Sequence, residues 1–121
     1  MGITVREENG SLLVMRVTGL LKKSELDAVQ AAVAKRFKPD TRVKLMIIEV
    51  NFEGWERGEQ WGDLDFFSKH GDKITRIAIV GNPKWEAELK MFLGAGYRAA
   101  PVKFFPSNQI EDARMWLAER P

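Results

Sequence analysis

Residues 43–50 read VKLMIIEV, a nearly unbroken apolar run. A strand with one wet face alternates apolar and polar residues, and this one does not. The run therefore predicts a strand covered on both faces, near the centre of a parallel sheet. Such a strand needs neighbours joined to it by helical crossovers, and the flanking sequence supplies them. Residues 3–8 and 11–18 form two β-prone runs around Asn9-Gly10, a strong hairpin signal. Ser24 then opens a helix with Asp27 three residues on, an approximate capping box, and Leu26, Val29, Val33 and Phe37 recur at helical spacing.

Beyond the central run, residues 56–70 predict a helix with Trp61, Leu64 and Phe67 inward, and residues 74–81 the next strand. Pro83 suits the first position of a third helix, whose apolar residues are Trp85, Leu89, Phe92 and Leu93. The run 94–97, GAGY, breaks that helix. A short strand at 102–105 follows, and Ser107 is read as the cap of a last helix carrying Ile110, Ala113 and Leu117. The expected order is β-β-α-β-α-β-α-β-α: an α/β fold with a five-stranded, mostly parallel sheet, an N-terminal β-hairpin and four helices. With 121 residues and no linker-like stretch, residues 1–121 are expected to form a single domain.

Composition excludes several chemistries. There is no cysteine, so disulfide and thiolate chemistry are out, and one histidine, His70, cannot assemble the usual zinc set. No metal and no cofactor are expected. A net charge of +2 with interspersed signs gives no nucleic-acid tail. No run of apolar residues is long enough for a signal peptide or a membrane-spanning helix, which predicts a cytoplasmic protein.

The acids Glu53, Glu56, Glu59 and Asp63 crowd one strand end and the helix after it. Two such carboxylates can share acid and base work. Acids also favour the first turn of a helix, where the dipole is positive, and that simpler account is preferred here. They are expected to be exposed and to bind no metal. Residues 84–105 mix Trp85, Met91, Phe92 and Tyr97 with Lys84, Lys90 and Arg98. Met91 and Leu93 lie about 160° apart on a helix, so both cannot face the sheet. Trp55, Trp85, Met91, Phe92, Tyr97 and Arg98 are accordingly the candidate surface for a ligand or partner, with Trp55 the exposed contact at the rim.

The stretches LLVMRVTGLLKKSELDAV, EVNFEGWERGEQWGDLDFFSKH, ITRIAIVGNPKWEAELKMF and VKFFPSNQIEDARMWL together resemble the SpoIIAA-like branch of the STAS superfamily, whose related folds include the CRAL-TRIO domains. The resemblance implies a β-α superhelix with strands in sequence order. It implies a non-enzymatic module that binds a hydrophobic small molecule or associates peripherally with an anionic membrane surface. An alternative is a regulatory protein–protein module of the anti-sigma-factor-antagonist type, which a stable homodimer without ligand would favour. A small enzyme using the acid cluster is a third. The sporulation members are switched on a serine after the third strand. The matching residues 51–60, NFEGWERGEQ, contain neither Ser nor Thr, so that switch is chemically impossible at this place.

Overall fold

The structure, a computed structural model, describes residues 2–8, 11–58, 73–93 and 100–119. Five strands form one sheet in the order β1-β2-β3-β4-β5: β1 (Ile3–Glu8), β2 (Leu12–Leu21), β3 (Val43–Trp55), β4 (Ile74–Gly81) and β5 (Val102–Pro106). β1 pairs with β2 antiparallel, while β2–β3, β3–β4 and β4–β5 are parallel. The sheet is thus mixed, where the sequence predicted a mostly parallel one, because β1 runs against the other four strands. The strands do lie in sequence order. The expected turn residues, Asn9-Gly10, are outside the described residues.

Three α-helices occur among the described residues, against the four expected: α1 (Lys23–Ala34), α2 (Glu86–Phe92) and α3 (Ile110–Ala118). The sequence places the fourth at 56–70. It does not start at 56, because β3 continues to Trp55 and Arg57-Gly58 turn the chain, with Gly58 at φ 82°. Residues 59–72, with Trp61, Asp63, Leu64, Phe67 and His70, lie outside the described residues.

Two expected caps also differ. α1 begins at Lys23 with Lys22 as its N-cap, and no side chain of that residue caps it. The backbone N–H of Lys23 instead donates to Glu56 Oε1 at 3.3 Å, so an acid at the end of β3 satisfies one of the orphan donors of the helix. Ser107 starts a 3-10 turn, Ser107–Gln109, ahead of α3, and α3 has no side-chain cap. Pro83 does open a 3-10 turn, Pro83–Trp85, whose Asn82 side chain accepts from the Lys84 N–H at 3.0 Å.

Period-two alternation sorts the central strands onto two faces. Leu13, Val17, Leu45, Ile47, Ile77 and Ile79 meet α1 through Leu26 and Val33, and α2 through Leu89 and Leu93. Val14, Met46, Ile48, Ala78 and Val80 point the other way and meet α3 through Ala113 and Leu117. Residues 45–48 are all buried because both faces are covered, which is why the run carries no polar alternation.

Candidate functional site

The carboxyl ends of β2, β3 and β4, with α1 and α2 above them, enclose the candidate site. It is built on a break in the alternation. Leu45, Ile47 and Glu49 share one face of β3, so Asn51 should be next. Asn51 instead takes a left-handed backbone, φ 51°, opposite an irregularity in β2 where Gly19 has φ 69°. The extra residue of this bulge returns Phe52, not Asn51, to the inner face. Asn is among the few non-glycine residues that tolerate this conformation.

Phe52 then seeds an aromatic cluster. Its ring lies 5.2 Å from Trp55 and 4.9 Å from Trp85, both edge-on. Trp55 and Trp85 are 6.0 Å apart, and Trp55 lies 5.6 Å from Phe92. Such spacings and tilts are those aromatic pairs prefer. Gly54, at φ 97°, is required twice over: its backbone is left-handed, and a Cβ there would come within 3.2 Å of the Trp85 ring.

Beside this cluster is a cavity of about 40 Å³. Its walls are Leu21, Leu26, Ile47, Phe52, Leu89 and Phe92 with their neighbours, and the polar side chains among its described lining are Gln30 and Glu49. Glu49 is the buried charged residue of the described chain, 9% exposed. Its side chain lies over Gly81 at the end of β4, in space that a Cβ at Gly81 would occupy. Burial pushes its carboxyl above the ordinary range, against the opposing pull of the Asn82 backbone N–H and the charge of Lys84. Among the described residues, three buried side-chain polar atoms have no hydrogen-bond partner: Glu49 Oε2, Trp55 Nε1 and Trp85 Nε1. All three belong to this end of the sheet.

The expected ligand surface is therefore only partly a surface. Met91 is 81% exposed, as the helical geometry required, while Leu93 is buried and Phe92 half-buried against the core. Trp55 is not the exposed rim contact expected of it; the extension of β3 carries it into the aromatic cluster, half-buried. Trp85 is half-buried beside it. Tyr97 and Arg98 lie outside the described residues, as do Glu59 and Asp63. Of the remaining acids, Glu53 is exposed and Glu56 is engaged with α1. No group of three or more potential metal ligands occurs among the described residues. None of their helices is long and apolar enough to cross a membrane.

The sequence reading passed over Glu49. One signal was available: a lone acid interrupts the apolar run LMIIEV.

Comparison with known proteins agrees with this architecture. A family model described as SpoIIAA-like matches residues 12–118. A crystal structure of an uncharacterized DUF3478-family protein with a SpoIIAA-like fold, from Shewanella loihica PV-4, superposes with a TM-score of 0.73. It is 20% identical, over 96% of this chain and 92% of its own, a level that establishes shared fold. No curated protein matches significantly.

Proposed function

The chain belongs to the SpoIIAA-like family, and from that premise we propose that it is a non-enzymatic binding module whose ligand is a small apolar molecule held between α1, α2 and the sheet. The observation that carries this reading is the cavity itself. Its walls are almost wholly aliphatic and aromatic, and it sits at the carboxyl ends of parallel strands, where open α/β sheets bind ligands. At about 40 Å³ it has room for little more than water. Ligand pockets are commonly about 300–1,000 Å³. Uptake therefore requires a wall to move, and α2 is the wall to move: it is seven residues long and is held by few buried side chains, Leu89 and the adjoining Leu93 chief among them.

Peripheral membrane contact through α2 is less well supported by charge. Lys84 and Lys90 are balanced by Glu86 and Glu88, and Lys90 is paired with Glu86 at 2.6 Å. Basic residues so compensated lose most of the roughly 1 kcal/mol each that an anionic surface offers. A regulatory protein partner is the second reading, favoured by Met91 standing exposed on the same helix.

Titration of tryptophan emission with 1-chlorohexane tests the ligand reading. Saturable quenching or shift is expected, weakened in Met15→Phe, which adds bulk beside the cavity. An emission that never saturates up to the solubility limit of the probe would overturn the proposal.

A further inference from the structure

The Glu49 carboxyl is partnered on one side only, by the Asn82 backbone N–H. Glu49 sits on the inner face with Leu45 and Ile47, is nine-tenths buried, lines the cavity and leaves Oε2 without a hydrogen bond. Buried polar atoms are almost always paired, so an unpaired one against a cavity calls for an explanation. Gly81 sharpens the point. Any larger residue would take the place of the carboxylate, so the end of β4 is shaped to let Glu49 lie there.

We infer that Glu49 is the polar anchor of the cavity, and that the apolar molecule it selects carries one neutral hydroxyl group, hydrogen-bonded to Oε2. This rests on the apolar-ligand reading above and adds the head group to it. The choice of head group follows from the surroundings. A hydroxyl both donates and accepts, so it can donate to Oε2 while accepting from a neighbouring N–H. Gln30 lines the same cavity, and its side-chain amide carries such N–H groups. An ammonium group offers donors only and would leave those N–H groups unmatched. It would also bring a full charge among apolar walls. A carboxylate would likewise bring a full charge among apolar walls. Burial favours the neutral form of the Glu49 carboxyl, which suits a neutral partner.

The test compares the wild type with Glu49→Met, which keeps the length of the side chain and removes its polar atoms. Tryptophan emission is titrated with 1-hexanol, 1-chlorohexane and hexylamine, and thermal melting confirms that the variant is folded. The expected result is a loss of about tenfold in 1-hexanol affinity on substitution, the scale of one hydrogen bond, with 1-chlorohexane affinity unchanged. Equal affinities of the two proteins for 1-hexanol would overturn the anchor while leaving the apolar site standing. A larger loss for hexylamine than for 1-hexanol would overturn the neutral head group. If the wild type binds none of the three, the apolar-ligand reading fails and this inference with it. Should Glu49→Met fail to fold, Glu49→Leu replaces it, and unchanged discrimination between 1-hexanol and 1-chlorohexane overturns the anchor.

Discussion

Glu49 and Gly81 share one volume: the carboxylate arm of the first fills the place where a side chain on the second would begin. The two lie on adjacent parallel strands, so neither backbone can retreat without breaking the β3–β4 ladder.

Gly81→Ala should therefore destabilise the fold by about 1–3 kcal/mol, the usual range for overpacking a filled interior. Glu49→Ala removes the atoms that collide, and in combination with Gly81→Ala should recover most of that loss. Urea denaturation of the two single variants and the double variant measures the coupling. Additive effects would mean that the two positions do not compete for space.

Proton linkage gives a second expectation. The folded-state value for Glu49 is raised above the ordinary 4.5, chiefly by burial. From about 4.5 upward to that raised value the folded chain holds a proton the unfolded chain has lost, so stability falls as pH rises through this window. Glu8 behaves oppositely. Its hydrogen bond to Arg114 is the largest cause, with Arg6 next, and together they lower its value, so its contribution is lost as pH falls through the range below 4.5. Glu49→Gln should remove the decline on the upper side and leave the acid limb intact. Parallel stability–pH curves for wild type and Glu49→Gln would rule this out.

Arg114 and Glu8 tie α3 to the edge strand β1 across 106 residues of chain at 2.8 Å. Arg114→Gln should return the Glu8 carboxyl towards its ordinary value. The pair is solvent-accessible, so the change should shrink in high salt. Side-chain carboxyl chemical shifts followed through an acid titration report it directly. A Glu8 midpoint unmoved by the substitution would place its shift elsewhere.

The aromatic cluster separates ring from N–H. Trp85→Phe removes an unpartnered donor and keeps most of the packing, so it should cost under about 1.5 kcal/mol. Trp85→Ala should cost about 3 kcal/mol, because Phe52, Trp55 and Gly54 all pack on that ring. Thermal denaturation of the pair decides. Equal losses would show that the indole N–H, not the ring area, is what the fold requires.

The degree to which sequence announced this structure varies along the chain. VKLMIIEV could be read because continuous apolar character has one common explanation, burial on both faces. Met91 and Leu93 could be assigned opposite fates because helical geometry leaves no choice. Trp55 could not be placed correctly. Its burial depends on Asn51 adopting a left-handed backbone and on β3 continuing five residues past its apolar run, and neither has a sequence signal stronger than an ordinary turn. Likewise Ser24 carried a capping pattern, yet the N–H at the start of α1 is met by Glu56 from the far end of β3, a contact 33 residues away. Local pattern predicts local partners, and here tertiary geometry supplied the competitor. Gly81 looked like a turn glycine until the neighbouring strand showed what lay above it.

The terminal strands bear on how this molecule meets copies of itself. β5 is only five residues long, preceded by Pro101 and ending in Pro106, so its outer rim offers few amide hydrogens and two rings that offer none. On the opposite border, β1 presents Thr4, Arg6 and Glu7 to solvent, with charges that an incoming strand would have to desolvate. Neither border invites a further strand, so self-association by sheet extension into fibres is disfavoured at both ends.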